Sequence, residues 1–281
     1  MADVAMDEVF RIEDKYSRYQ QGSLLSQINE VARSGGFIDV DSETAGLLDF
    51  AYVCHQKSDG LFDITSGVLR RAWDFSSGRL PAQEAINPLL PCIGLSKVHW
   101  TSPCLNFPVP GMELDFGGIG KEYAADRVAD ICIEMGANSG FVDLGGDIRI
   151  IGPHPSGEPW IIHIRYPRTP DIPFATLHLH QGAIASSGDY ERFMDVDGKR
   201  YCHILNPRTG WPAHGLSSVS VVADRCMAAG AVSTMAMLMG RDGAEWLGTT
   251  GLPHLWMDED GDKAGKGGGA TSAPRVGLKL P

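Results

Sequence analysis

The chain has 281 residues, 43% of them hydrophobic and 21% charged, with a net charge of −11. That length is ample for a buried core, in one large domain or two small ones. The acidic balance excludes general nucleic-acid binding, which needs a basic surface, and no run of about 18 apolar residues is present to span a membrane.

The opening stretch, Met1 to Glu8, is acidic and lacks the basic and apolar regions of a signal peptide, so the sequence as it stands reads as cytoplasmic. Residues 4–32 predict a helix with a break. Val9, Ile12, Tyr16 and Tyr19 share one face, Gln20-Gln21-Gly22 interrupts, and Ser23 caps a second helix ending at Asn29. A third helix is expected over residues 42–58, with Asp41 or Ser42 as its N-cap and Asp59-Gly60 as its stop. Leu61 to Gly67 then reads as a short extended segment containing a carboxylate, and residues 76–97 as a surface excursion.

Glu113-Leu-Asp-Phe alternates polar and apolar residues, as a half-buried strand does. Gly117-Gly118 ends it, and Gly120-Lys121 opens an amphipathic helix that stops at Gly136. A glycine turn leading into a helix offers unpaired N–H groups and a positive dipole end, which suit an anion. Lys121 adds a cation there, and Asp115 a carboxylate on the approach. The P-loop pattern does not fit, because it needs glycine where Asp115 stands and Ser or Thr where Glu122 stands. The dinucleotide fingerprint fails at Tyr123. Tight packing remains the alternative to a ligand site at this turn.

Residues 138–151 predict strand, Gly145-Gly146, strand, and residues 153–181 predict two antiparallel strands carrying His163, His178 and His180; the same-face His178 and His180 are either ligands or part of a solvated sheet face, the second being the default. Ser186-Ser187-Gly188 places hydroxyls at a strand end. Asn206-Pro-Arg-Thr-Gly is a strong turn; His203 just before it is a base, a ligand or a packed side chain. A strand follows over 218–223. Cys226 to Met239 is apolar or small nearly all round and predicts a buried helix, in which Ser233 and Thr234 bond back to the preceding turn. From Asp258 the chain is glycine-rich and reads as a mobile tail. The six cysteines form no C-x-x-C pair and are expected to be reduced thiols.

Taken in order, seven blocks resemble the FAD:protein FMN transferase (ApbE) family. They are Y-S-R-Y-Q-Q-G-S-L-L-S-Q-I-N (16–29), G-L-F-D-I-T-S-G (60–67), E-L-D-F-G-G-I-G-K-E-Y-A-A-D (113–126), F-V-D-L-G-G-D-I-R-I-I-G (141–152), S-S-G-D-Y-E-R-F (186–193), H-I-L-N-P-R-T-G-W-P (203–212) and A-G-A-V-S-T-M (229–235). The resemblance implies an α+β fold over residues 1–257, one T-fold-like unit of antiparallel sheets and packed helices around an FAD cleft, with 258–281 as a flexible tail. It implies that Tyr19 stacks on the flavin, and that Leu61, Phe62, Asp63 and Ile204 line the FAD site. Asp115 and Lys121 are expected near the phosphates and ribose. Mg²⁺ would take the backbone carbonyl of Gly118 and the side chains of Ser233 and Thr234. The implied reaction splits the FAD diphosphate, attaches FMN to a Ser or Thr of an acceptor flavoprotein and releases AMP, with His203 and Lys121 as catalytic residues. An FAD carrier or sensor without transfer, and a hydrolase giving FMN and AMP, are the other readings of the same resemblance.

The sequence departs from the family pattern at defined places. Gly230 stands where an aspartate usually ligates the metal, Glu122 where glycine usually follows the lysine, and Asn206 where Asp usually precedes the proline. With Gly230 in place, Gly230→Asp is expected to strengthen the metal site if the helix admits the side chain. Family members are commonly periplasmic lipoproteins, and this chain begins after their usual signal and first strand. Gly268-Gly269-Ala270-Thr271-Ser272 resembles the context in which family substrates accept FMN, although glycine-rich sequence makes such triplets by chance.

Overall fold

A computed structural model describes residues 1–169, 172–267 and 276–279. Two helices open the chain, α1 (Ala2–Tyr16) and α2 (Leu24–Ser34), the second begun by Ser23, whose Oγ accepts the Ser26 N–H at 2.9 Å. Strand β1 (Gly36–Asp39) follows, then α3 (Ser42–Lys57), capped by Asp41, which accepts the Thr44 N–H at 2.9 Å. Both caps satisfy amides that have no partner inside the helix. A 3-10 helix (Ile64–Arg71), the one-turn α4 (Gln83–Ile86), β2 (His99–Thr101) and β3 (Cys104–Phe107) complete this part, with antiparallel sheet order β1-β3-β2.

The next elements are α5 (Gly120–Glu134), β4 (Gly140–Leu144), β5 (Asp147–Gly152), β6 (Trp160–Arg165), β7 (Pro173–Leu179) and β8 (Ala183–Gly188). A hairpin of β9 (Phe193–Val196) and β10 (Lys199–Cys202) precedes β11 (Leu216–Ala223), α6 (Cys226–Met239), α7 (Arg241–Thr249), β12 (His254–Asp258), β13 (Lys263–Lys266) and β14 (Val276–Lys279).

Contacts divide the chain into two compact units interleaved in sequence. The first comprises Met1–Ile12, Gly117–Glu191 and His214–Pro281; the second comprises Glu13–Phe116 and Arg192–Ala213. In the first unit, six antiparallel strands run in the order β13-β12-β11-β8-β5-β4, and a smaller sheet runs β14-β7-β6. Period-two alternation sends Ile150, Ile184, Val222, Leu255 and Met257 into one core with Ile164, Phe174, Leu177 and Leu179 of the smaller sheet. The opposite face of the large sheet receives α5 and α6. Packed from both sides, β11 is buried at every residue. The second unit has its own core, in which Val68, Leu69, Trp73, Ile86, Ile93 and Met194 are buried.

Several sequence expectations change. Glu113–Phe116 keeps its alternating burial but joins no strand. The Leu114 N–H donates to Asn29 Oδ1 at 2.7 Å, its carbonyl accepts from Asn29 Nδ2 at 3.0 Å, and the Asp115 N–H donates to the Ile64 carbonyl. A side-chain amide thus replaces a partner strand. The segment after Leu61 coils rather than extends, because Asp63 Oδ1 accepts both the N–H and the hydroxyl of Thr65 at 2.8 and 2.6 Å and starts the 3-10 helix. Residues 76–97 contribute to the core, with Ile86 and Leu95 fully buried. The tail from Asp258 includes β13, paired with β12, and β14, paired with β7. Residues 268–272, with Thr271, lie outside the described residues. All six cysteines are free thiols. No helix among the described residues is long and apolar enough to cross a membrane.

Candidate active site

The residues singled out from the sequence fall into two groups, one in each unit. In the second unit, α1 ends at Tyr16, so the two tyrosines part. Tyr16 is buried with its ring edge-on to Phe116 at 5.4 Å, whereas Tyr19 sits in the following turn and is 74% exposed. Arg18 lies 5.8 Å from the Tyr19 ring centre, and Arg70 donates to its hydroxyl at 3.1 Å. Asp115 pairs with Arg18 at 3.0 Å and Arg70 at 3.2 Å, while Glu113 pairs with Arg18 and Arg71. An ion-pair lattice therefore borders the exposed ring and holds its hydroxyl through Arg70. Gly67 lets the 3-10 helix approach that lattice, since a Cβ there would stand 2.8 Å from Asp115 Cβ.

Phe62 is core, and both Asp63 oxygens bind backbone, with Leu95 N–H donating to Oδ2 at 2.9 Å. Asp63 also edges an open cavity of about 630 Å³ shared with His55, Lys97 and Arg208. Leu61 is half-buried and Ile204 is 9% exposed. His203 is half-buried, its Nδ1 at 3.1 Å from the Arg192 carbonyl. A carbonyl only accepts, so Nδ1 is the donor of this contact, and in the neutral ring Nε2 is then the acceptor nitrogen.

In the first unit, the turn over Gly117–Ile119 delivers Lys121 and Glu122 on the first turn of α5. The Lys121 ammonium stands 2.8 Å from Asp147 at the start of β5. Burial works against this ammonium, but the Asp147 carboxylate outweighs it and holds the lysine pKa above its ordinary value. Glu122 is 7% exposed, facing α6 at Gly230. Burial first, and the Asp147 carboxylate second, push its pKa up to about 8. Ser187 on β8 bonds Ser233 at 2.8 Å and Thr234 at 3.0 Å, and Ser233 donates to the Gly230 carbonyl at 2.9 Å, as expected for a helix hydroxyl.

The raised Glu122 pKa has a sign. The folded state holds this proton more tightly than the unfolded chain, whose value is near 4.5, so the contribution to stability is full below that value and lost as pH rises toward 8. Unfolding of metal-free protein, followed by urea titration between about pH 5 and pH 8, will show a loss of stability that Glu122→Gln reduces. A variant with the same pH slope as the parent would remove the carboxylate from that account.

One turn along α5, Asp126 accepts the N–H groups of Cys226 at 2.8 Å and Met227 at 3.0 Å, capping α6, whose own Arg225 provides no side-chain cap. Residues 122 and 126 are one turn apart, as are 226 and 230, so the cap sets Glu122 against Gly230. Asp126→Ala should cost about 2–3 kcal/mol, the loss of a charged acceptor for two buried amides, measured by urea denaturation. A change below about 0.5 kcal/mol would show the cap to be dispensable.

The ApbE family model matches residues 1–256. The chain belongs to the ApbE family. Its relatives include the FAD:protein FMN transferases of Haemophilus influenzae, 30% identical over 82% of this chain and 70% of the relative, and of Chlamydia trachomatis, 33% identical over 82% and 74%. Among solved structures, the ApbE protein of Thermotoga maritima superposes with a TM-score of 0.87 at 34% identity, covering 94% of this chain and 88% of that one. The flavin transferase ApbE of Vibrio cholerae gives 0.84 at 28% identity, covering 95% and 89%. The α+β fold and the transferase class follow from this membership. Within the ApbE frame, the sequence pattern drew no attention to Asp126 and Asp147 individually. It flagged Glu122 and Gly230 as separate departures, and the structure places them in contact.

Proposed function

We propose that this ApbE-family chain is an FAD:protein FMN transferase that works with Mg²⁺, attaching FMN to a Ser or Thr of an acceptor flavoprotein and releasing AMP. The observation that carries the reading is the Lys121–Asp147 pair at the glycine turn into α5; Asp147 accepts the N–H of Ser186, whose neighbour Ser187 bonds Ser233 and Thr234. Diphosphate cleavage needs cationic side chains and hard oxygens around the phosphates more than a nucleophile from the enzyme. The residues present fit Mg²⁺, which takes oxygen donors and leaves coordination positions for phosphate and water. The Gly118 carbonyl, Ser233 and Thr234 are the donors the family pattern names, and Gly230 offers no side chain. A bound divalent cation neutralises charge on the diphosphate oxygens.

The acceptor hydroxyl oxygen forms a bond to the phosphorus on the flavin side. The bond from that phosphorus to the bridging oxygen breaks, AMP departs with that oxygen, and the hydroxyl proton passes to a base. His203 Nε2 carries the lone pair suited to that proton. Lys121, already held cationic by Asp147, stabilises phosphate charge, and Tyr19 supplies the stacking face for the isoalloxazine ring. Leu61, Asp115 and Ile204 belong to the same FAD reading.

Incubation with FAD, MgCl₂ and an acceptor protein bearing a Ser/Thr flavinylation motif tests the reading. An FMN adduct by intact mass, with one AMP released per adduct, is expected. AMP without adduct would make the chain a hydrolase. Neither product, where a relative labels the same acceptor, would reject transfer. Tyr19→Ala should weaken FAD binding by about 1–2 kcal/mol, read by calorimetric titration; unchanged affinity would place the flavin elsewhere.

A further inference from the structure

Glu122 presents an anomaly in the first unit. It is 7% exposed, yet no N–H or hydroxyl group among the described residues donates to its Oε2. A buried carboxyl oxygen left unpartnered is costly and rare in folded proteins. Asp147, 1% exposed, stands beside it, with the Lys121 ammonium 2.8 Å from its Oδ2 and the Ser186 N–H donating to its Oδ1 at 3.2 Å. Two carboxyl groups thus share one buried place, where Asp147 has its ammonium partner and Glu122 is held in its protonated form against Asp147.

Space has been made for this arrangement. A Cβ on Gly230 would lie 2.6 Å from Glu122 Cγ and 2.9 Å from Oε1, so the Glu122 side chain occupies the volume a side chain at 230 would need. One turn further along α6, Ser233 and Thr234 present hydroxyls to Ser187. Among the described residues no three of His, Cys, Asp and Glu are grouped to hold a metal by themselves. Two carboxylates with neighbouring hydroxyls, completed by water and phosphate oxygens, are the donor set of a hard divalent cation.

We infer that Glu122, reaching from α5 across the bare backbone of Gly230, is the carboxylate ligand of this protein's divalent cation, with Asp147 as its anionic neighbour. The inference rests on the Mg²⁺ part of the proposed function and deepens it. The carboxylate that α6 lacks comes from α5, and Gly230 is the partner that admits it. Cation binding displaces the Glu122 proton to solvent and gives Oε2 the cation as its partner.

Mn²⁺ alone, titrated into the full-length protein and followed by electron paramagnetic resonance of the free ion, tests this without any turnover. The parent should bind Mn²⁺, and Glu122→Gln should weaken binding roughly tenfold or more. Mg²⁺ should raise the melting temperature of the parent and not that of the variant. Glu122→Ala, which removes the buried acid altogether, decides the matter should the glutamine variant fail to fold. Undiminished Mn²⁺ binding in either folded variant, or no binding by the parent with or without ADP, overturns the inference. The two readings fail separately. Loss of Mn²⁺ on substitution in a protein that makes no AMP and no adduct would remove the transferase and keep the ligand. Transfer with unchanged Mn²⁺ affinity in the variant would do the reverse.

Discussion

Gly230→Asp, made alone, will destabilise this protein by about 3 kcal/mol or more, and Glu122→Gly added to it will restore much of the loss. The family pattern alone leads to the opposite expectation, that an aspartate at 230 strengthens the metal site. The structure reverses it, because the new Cβ would stand 2.6 Å from Glu122 Cγ and 3.0 Å from Cδ. Overpacking at that level costs about 1–3 kcal/mol. A further carboxylate buried beside Glu122 and Asp147 adds the penalty of an uncompensated charge, about 3–5 kcal/mol where no relaxation or protonation relieves it. Removing the Glu122 side chain frees the volume and the charge together, so the two substitutions should couple by about 2 kcal/mol. Urea denaturation of parent, both single variants and the double variant in EDTA measures this cycle. Additive effects would mean that residues 122 and 230 do not compete for one space.

The parts of the fold legible in the sequence are those fixed by near neighbours. Ser23 and Asp41 announce α2 and α3 because an N-cap acts over three residues. The boundaries of α6 follow from an uninterrupted run of small and apolar side chains, and Gly145-Gly146 marks the turn between β4 and β5. The failures have long-range or competing causes. Glu113–Phe116 alternates like a strand, but its partner is the Asn29 side chain, 85 residues distant. The segment after Leu61 obeys Asp63, whose cap outweighs the extended preference. Tyr19 was placed on a helix face that ends three residues earlier. At the site, Glu122 and Gly230 were each visible as an oddity. That one fills the space of the other depends on the Asp126 cap that brings α5 and α6 together, and no local pattern carries it.

The largest loss of stability from a single truncation is expected at Trp73 in the core of the second unit. Its indole is 3% exposed and packs edge-on to Trp211 at 5.2 Å, stacked on Phe75 at 5.4 Å and tilted against Tyr201 at 6.4 Å. Its Nε1 donates to the buried Gly210 carbonyl at 2.7 Å. Gly210 closes the Asn206–Gly210 turn at φ +73°, and a Cβ there would lie 2.4 Å from Ile86 Cγ2, so the turn packs closely on the same core. Trp73→Ala should therefore cost about 3–5 kcal/mol, the range for truncating a buried aromatic side chain. Trp73→Phe keeps most of the ring and loses only the hydrogen bond, leaving the Gly210 carbonyl unsatisfied at about 1–3 kcal/mol. The turn follows His203 and Ile204 directly, so the phenylalanine variant should also transfer FMN more slowly at temperatures where it remains folded. Urea denaturation of the two variants separates packing from hydrogen bonding. An alanine variant no less stable than the phenylalanine one would mean that the ring cluster contributes little and that the bond to Gly210 alone holds the turn.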